Sequence, residues 1–201
     1  FAHLVSDTSL DELHRFAAEI GLPRRAFHVD HYDLPDVRWD QAVAAGAHVI
    51  GICNGFQVVT KLGLLPLLKG VPAPGAEFEQ EATLTFNDSG KFEDRWCPMV
   101  ADPLSPCVWT RGLDRFELPV RHGEGKWIHR DESVRQAILK GHLACLKYGG
   151  SEFPENPNGS VDDIAGVCDP TGRLFGLMPH PEVFLRGVQH PRWTRGDYSA
   201  E

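Results

Sequence analysis

The alternation of hydrophobic and polar positions predicts a helix near the start of the chain. Between residues 9 and 20 the hydrophobic side chains recur every three or four positions, which is the period of an amphipathic helix. Ser9 and Glu12 have the spacing of a capping box at its start, and Gly21 ends the pattern. A second, shorter helix is predicted over residues 39–45.

The segments that follow alternate between strand and helix. A short β-branched run at residues 48–52 predicts a buried strand, and residues 54–62 return to helical spacing. Another helix is predicted over 131–140, and further strands are predicted within residues 81–87, 108–121, 164–168 and 174–178. Strands with intervening helices favour an α/β layered fold.

Composition and charge exclude several classes of function. Hydrophobic residues make up 42% of the chain and charged residues 24%, which is typical of globular domains. The net charge of −8 argues against nucleic-acid binding, because replacing phosphate counterions needs clustered Lys and Arg. No apolar run approaches the roughly 20 residues that cross a bilayer. We therefore expect neither a nucleic acid nor a membrane as partner.

The five cysteines are odd in number, irregularly spaced and without a C-x-x-C motif. This pattern suggests neither a disulfide framework nor a zinc site, and it favours a reducing cytoplasm in which most of the thiols are buried. Cys53 is different because of its neighbours.

The sequence Gly-Ile-Cys-Asn-Gly-Phe-Gln at residues 51–57 places Cys53 between a predicted strand and a predicted helix. Such a turn projects a nucleophile above the sheet, and Gly51 and Gly55 would remove side chains that clash there. The helix N-terminus predicts a lowered pKa for the thiol, and the Asn54 amide would point at an oxyanion. The alternatives are a buried cysteine before an ordinary glycine turn, or a peptidase-like elbow.

The sequence Met-Pro-His-Pro-Glu at residues 178–182 follows the last predicted strand. A thiol nucleophile needs an imidazole as base, and the imidazole needs a carboxylate to fix its orientation. His180 and Glu182 are two positions apart in an extended segment, so their side chains point the same way. Read in isolation this segment is a surface turn, but together with the elbow it predicts a Cys-His-Glu triad.

These two motifs resemble class I glutamine amidotransferases, and among them the glutaminase subunits that serve formylglycinamidine ribonucleotide formation in purine biosynthesis. Three further stretches agree with those subunits: residues 87–96, 122–125 and 156–160. The resemblance runs from about residue 48 to the C-terminus. It implies a layered α/β fold with a central, mostly parallel sheet.

The resemblance also implies catalytic roles. Cys53 would attack the side-chain amide of glutamine, His180 would act as base and then as acid, and Glu182 would orient the imidazole. The backbone amide of Asn54 would supply an oxyanion-hole donor.

The remaining implied features concern the substrate and the partner. Gly55 and Gln57 would contact glutamine. The released ammonia would pass to a synthetase subunit that holds ATP and Mg²⁺, and this chain itself would need no cofactor.

The resemblance ends upstream of the elbow. The family begins with a strand and a Gly-rich loop that donates a second oxyanion amide, and neither is recognisable here. Residues 1–46 instead resemble a small uncharacterised bacterial domain, so we expect domains at 1–46 and 47–201, with the first strands of the amidotransferase sheet missing or replaced. Loss of one oxyanion donor costs about 10²–10³ in turnover, which predicts weak glutaminase activity or none for the isolated chain.

Two other functions stay open at this point. One is a non-catalytic interaction module, or chimeric fragment, that keeps the partner surface without turnover. The other is a different cysteine-elbow hydrolase, although the His180–Glu182 pair and Gln57 favour glutamine chemistry.

One polar cluster precedes residue 40. His28, Asp30, His31 and Asp33 could converge on a metal ion at a tight turn. A solvated polar loop is the favoured interpretation, and no metal site is expected.

Overall fold

The computed structural model describes residues 2–6, 8–73 and 76–195. The chain divides into two compact units, Phe1–His48 and Val49–Glu201. The division falls two residues beyond the domain boundary proposed from the sequence. Among the described residues, no helix combines the length and apolar character that crossing a membrane requires.

The first unit is a small antiparallel sheet with two helices. Its strands and helices are β1 (Ala2–Leu4), α1 (Leu10–Glu19), β2 (Phe27–His28), β3 (His31–Leu34) and α2 (Trp39–Ala44). The strand order is β1-β3-β2. One hydrophobic core holds the unit together, formed by Leu13, Ala17, Ile20, Leu22, Tyr32, Leu34 and Ala42.

The helix α1 forms where the hydrophobic period and the cap predict it. The backbone N–H of Glu12 donates to the Ser9 hydroxyl at 3.2 Å, which satisfies one of the free donors of the first turn. Leu13 and Ala17, one turn apart, are the buried residues of the helix. Gly21 follows with φ +74°, a conformation that favours glycine and turns the chain away.

The second unit contains the remaining elements. They are β4 (Val49–Ile52), α3 (Asn54–Lys61), β5 (Ala82–Thr85), β6 (Glu93–Ala101), β7 (Arg115–His122), β8 (Lys126–His129), α4 (Glu132–Lys140), β9 (Leu146–Tyr148), β10 (Ile164–Cys168) and β11 (Leu174–Leu177). A six-stranded sheet has the order β4-β11-β10-β9-β6-β7, and β5 pairs with β8 in a separate ladder. The layered α/β class is therefore confirmed.

The central sheet is mixed, which corrects the expectation of a mostly parallel sheet. Among the described strands only β4 and β11 pair in parallel. The pairs β10–β11, β9–β10, β6–β9 and β6–β7 are antiparallel. For β10 and β11 the reason is the connection between them, because a tight turn permits only antiparallel pairing.

The strand β6 lies outside every strand predicted from the sequence. It contains Pro98, which lacks a backbone donor, and its charged residues Glu93, Asp94 and Arg95 hide the alternation typical of a strand. Its long antiparallel pairing with β7, which begins with Glu93 opposite His122, stabilises the strand despite this weak local pattern.

The helix α3 lies close against β11 because Gly176 has no side chain. A Cβ at Gly176 would lie 2.1 Å from the ring of Phe56. Phe56 is 1% exposed and stacks on Trp127 with a centroid distance of 5.4 Å. This contact fixes the height of α3, and of the elbow before it, above the sheet.

Replacing Gly176 with Ala is therefore expected to destabilise the second unit by about 1–3 kcal/mol, the usual cost of overpacking a core. Gly123→Ala is the matched control, since a Cβ there would meet no atom within 4 Å, and its effect should stay within about 0.5 kcal/mol. Urea unfolding of both variants measures the difference. Equal stability of the two variants would contradict the close packing of α3 on β11.

Candidate active site

Parallel pairing brings two predicted motifs to the same edge of the sheet. The last pair of the β4–β11 register joins Ile52 to Leu177. Cys53 follows directly after β4, and its backbone N–H donates to the Leu177 carbonyl at 2.8 Å. The segment of His180 leaves β11 at this same edge, so both motifs emerge side by side although 127 positions separate Cys53 from His180 in the sequence.

Cys53 occupies the strained turn expected of a nucleophile elbow. Its φ of 51° and ψ of −104° are rare for a residue with a side chain, and such a conformation costs on the order of 1–3 kcal/mol. A Cβ at Gly51 would lie 2.8 Å from the backbone of Gly55, so glycine is needed there. The expected clash at Gly55 itself is wrong, because a Cβ there would point into open space.

The thiol of Cys53 is harder to ionise than the sequence suggests. Partial burial raises its pKa and outweighs the Asn54 backbone N–H, which donates to the sulfur and lowers the pKa; the Glu182 carboxylate raises it further. The expectation of a lowered pKa is therefore wrong. Desolvation of the sulfur raises the pKa by more than the helix N-terminus lowers it.

His180 and Glu182 form the hydrogen-bonded pair that their spacing predicts. The His180 Nδ1 donates to the Glu182 carboxylate at 2.5 Å. The backbone N–H of His180 also donates to the Pro119 carbonyl at 2.8 Å, which ties the segment to β7. The other ring nitrogen, Nε2, is buried and has no hydrogen-bond partner among the described residues. With Nδ1 protonated, Nε2 is a proton acceptor.

The Glu182 carboxylate interacts with both the thiol of Cys53 and the imidazole of His180. The carboxylate of Glu182, which orients His180, is close enough to raise the pKa of Cys53. In the structure the thiol donates to the carbonyl oxygen of Arg121 at 3.8 Å, a long contact that holds the sulfur weakly.

Gln57 connects the elbow helix to the loop after β7. Its side-chain N–H donates to the Glu124 carbonyl at 2.7 Å. Gln57 lies one turn past Cys53 on α3, so this bond holds the loop at residues 122–125 beside the nucleophile.

The three further stretches that resemble the family converge on that loop. Asn87, from the first stretch, donates to the His122 carbonyl and accepts from the Gly125 N–H, at 2.8 and 3.0 Å. Asn158, from the third stretch, donates to the Gly125 carbonyl at 2.8 Å. The contacts of these residues could not be predicted from the sequence, because hydrogen bonds across 30 or more positions leave no local pattern. The buried amide network now identifies them as supports of the loop.

His122 is a buried residue of this loop and lies near His180. Burial, and to a lesser degree the His180 ring, lower the pKa of His122 to about 4. Its imidazole is therefore neutral at pH 7. Gly125 is required beside it, since a Cβ there would lie 2.3 Å from the His122 ring. The His122 Nε2 is also buried and without a hydrogen-bond partner among the described residues.

Among the residues that the structure describes, two groups of side chains outside this site have ligand atoms close enough to hold a metal ion. One is the buried group Cys107, Cys145 and Cys168, and the other is the surface group His3, His31 and Asp33. In each group the ligand atoms lie within 4.8 Å of one another. Neither set was predicted from the sequence, because each joins residues distant along the chain.

The electrostatic coupling of Glu182 to Cys53 predicts a measurable pKa change. Glu182→Gln removes a negative charge that disfavours the thiolate, so the Cys53 pKa should fall below that of the unchanged protein. The pH dependence of Cys53 alkylation by iodoacetamide, followed by peptide mass spectrometry, measures this value. Its midpoint should lie above that of an ordinary thiol in the unchanged chain and move to lower pH in the variant.

The matched control is Glu132→Gln, which removes an exposed carboxylate on α4 that does not affect Cys53. It should leave the alkylation midpoint unchanged. A midpoint that rises or stays constant in Glu182→Gln would contradict the placement of Glu182 beside the thiol.

Comparison with known proteins agrees with this arrangement. The family model of the CobB/CobQ-like glutamine amidotransferase domain matches residues 40–201. A second model, for proteins of unknown function (DUF4031), matches residues 1–61. The two matches overlap across the end of the first unit and the elbow.

Individual relatives match about three quarters of the chain. Phosphoribosylformylglycinamidine synthase subunit PurQ of Dehalococcoides mccartyi is 47% identical over 152 residues, which cover 74% of this chain and 56% of that protein. The PurQ subunit of Treponema denticola is 39% identical over 171 residues, with coverages of 75% and 62%. Each alignment therefore spans less than two thirds of the relative.

A solved structure, that of PurLQS from Thermotoga maritima, aligns with a TM-score of 0.57 and 26% identity. The alignment covers 78% of this chain and 61% of that chain. The chain belongs to the CobB/CobQ-like glutamine amidotransferase domain family, which confirms the family indicated by the motifs around Cys53 and His180.

Proposed function

We propose that this chain hydrolyses the side-chain amide of glutamine and supplies the ammonia to a synthetase that forms formylglycinamidine ribonucleotide. The observation that carries the proposal is the meeting of the Cys53 elbow and the hydrogen-bonded His180–Glu182 pair at one sheet edge. The relatives named as subunits of phosphoribosylformylglycinamidine synthase support the choice of pathway.

The raised pKa of Cys53 supports the role of general base that we propose for His180. A neutral thiol must lose its proton as it attacks, so a general base is required. The His180 Nε2 is suited to this, because Nδ1 is engaged by Glu182 and Nε2 is an unpartnered acceptor among the described residues. The proposed reaction requires the Cys53 sulfur to leave the Arg121 carbonyl, its long contact in the structure, and to approach Nε2.

The reaction then follows from these groups. The sulfur attacks the amide carbon while its proton moves to His180 Nε2, and the Asn54 backbone N–H stabilises the resulting oxyanion. His180 returns the proton to the departing nitrogen, which leaves as ammonia and a glutamyl thioester remains. His180 next takes a proton from water, whose oxygen attacks the thioester, and it passes that proton to the departing sulfur, so that glutamate and the free thiol are released.

The unpartnered imidazole nitrogens support binding of a polar substrate. A buried polar atom without a partner costs about 1–3 kcal/mol, so the Nε2 acceptors of His122 and His180 both gain when an N–H group of the substrate reaches them. Gly55 would contact the substrate on the open side of α3, where no atom lies within 4 Å of a Cβ position. Gln57 would complete the contact from the same helix.

The partner in this proposal is the synthetase that consumes ammonia. ATP and Mg²⁺ would bind to that subunit, and this chain would contribute no cofactor. The solved structure of PurLQS from Thermotoga maritima contains a chain similar to this one, which supports a multisubunit arrangement. The five cysteines are free thiols, as a reducing compartment requires, and we assign the reaction to the cytoplasm.

Covalent labelling by the glutamine analogue diazo-oxo-norleucine tests the site without relying on turnover. We expect one adduct on Cys53, protection of Cys53 by glutamine, and no adduct in Cys53→Ser. Cys97→Ser, which changes a buried cysteine of β6, is the matched control and should label normally. Labelling of another residue, or none in a folded chain mixed with the synthetase, would contradict the proposal.

Ammonia release measured with the synthetase present completes this test. Cys53→Ser should reduce the rate by about 10³-fold or more, and Glu182→Gln by about 10²–10⁴-fold, because the imidazole loses its orientation. Unchanged ammonia release in Cys53→Ser would show that the nucleophile lies elsewhere.

A further inference from the structure

The outer face of the three-stranded sheet in the first unit collects four polar side chains. His3 on β1 lies opposite Asp33 on β3, and His28 on β2 lies opposite His31 on β3. Side chains alternate between the faces of a strand, so His31 and Asp33 share one face. The buried residues of β3, Tyr32 and Leu34, occupy the other face and belong to the core.

Three of these side chains present ligand atoms at the separation that a metal ion requires. The Asp33 carboxylate oxygen lies 3.7 Å from His3 Nε2 and 3.7 Å from His31 Nε2. Ligand atoms about 2.1 Å from a tetrahedral ion are about 3.4 Å apart. All three ligand atoms lie within 4.8 Å of one another, so a small contraction would bring them onto a common ion.

A carboxylate behind His31 sets the orientation of its ring. His31 Nδ1 donates to the Asp30 carboxylate at 2.7 Å, which leaves Nε2 directed at Asp33. Metal-binding histidines almost always use their second nitrogen in this way. On the opposite face the Tyr32 hydroxyl is hydrogen-bonded to His14 Nδ1 at 2.8 Å, which anchors β3 to α1.

We propose that His3, His31 and Asp33 bind a divalent transition-metal ion of the Zn²⁺ class, with Asp30 as the residue that positions His31. Two imidazoles and one carboxylate favour such an ion over Mg²⁺ or Ca²⁺, which prefer oxygen ligands. The side chains of His3 and Asp33 are 64% and 55% exposed. The remaining coordination positions therefore face solvent and can take water or a small oxygen ligand.

The strand register changes the interpretation of the polar loop. The sequence places His28, Asp30, His31 and Asp33 together, a set that favours a solvated loop. Pairing with β1 adds His3, and the contact with His31 gives Asp30 an orienting role. His28 becomes a neighbour, with its ring centroid 5.5 Å from that of His31.

Titration of the metal-free full chain with Zn²⁺ alone, followed by calorimetry, tests this site. We expect one Zn²⁺ ion per chain in the unchanged protein and at least about tenfold weaker binding in His31→Ala and Asp33→Asn. Asp30→Asn should weaken binding by about tenfold through loss of orientation. His28→Ala is the matched control on the same face and should bind as the unchanged protein does. Circular dichroism checks that each variant is folded, and Asp33→Asn is the variant closest in shape.

Substitution of Co²⁺ for Zn²⁺ separates this site from the three buried cysteines. Nitrogen and oxygen ligands give Co²⁺ absorption without a thiolate charge-transfer band, which is the expected result. A thiolate band, no Zn²⁺ binding, or an equal loss of Zn²⁺ affinity in His28→Ala and His31→Ala would each overturn the proposal.

Discussion

The parallel pairing of β4 with β11 is the interaction on which the candidate active site depends. The register ends with Ile52 opposite Leu177, and each strand continues directly into one of the chemical motifs. Gly176 lets Phe56 approach this pair, and Gly51 lets α3 turn back over β4. The free energy of the packed core therefore maintains the strained backbone of Cys53, which short-range interactions disfavour.

The same packing determines the chemistry of the thiol. Burial that supports the elbow also disfavours the thiolate, so the sulfur depends on a base more than a cysteine at an exposed helix N-terminus does. Glu182 contributes in two opposing ways: it orients His180 and also raises the thiol pKa. In the proposed reaction, a neutral resting thiol is protected from unspecific oxidation and is activated only where the substrate and the base meet.

Local patterns predicted the parts of the fold that local interactions determine. The α1 cap at Ser9, the elbow around Cys53 and the His180–Glu182 pair each depend on residues within a few positions, and all were recognisable. Sheet direction was not, because strand length and hydrophobicity do not reveal which strands become neighbours. The thiol pKa also required the structure, since desolvation depends on the whole fold around the sulfur.

The features that sequence analysis missed depend on contacts between distant residues. The Asn87–His122 hydrogen bond spans 35 positions, and the pairing of His3 with Asp33 spans 30. In the first case three separate stretches of the chain become one buried network behind the elbow. In the second case, strand pairing places His3 beside two residues of the polar turn and so forms the proposed ligand set.

In the proposed reaction Cys53 carries the glutamyl group during hydrolysis. This intermediate can be trapped by mixing the chain with glutamine in the presence of the synthetase, quenching with acid and mapping the peptides by mass spectrometry. We expect a glutamyl thioester on the peptide that contains Cys53, removable by hydroxylamine. A glutamyl group on another residue, or steady ammonia release with no adduct on that peptide at any quench time, would contradict it.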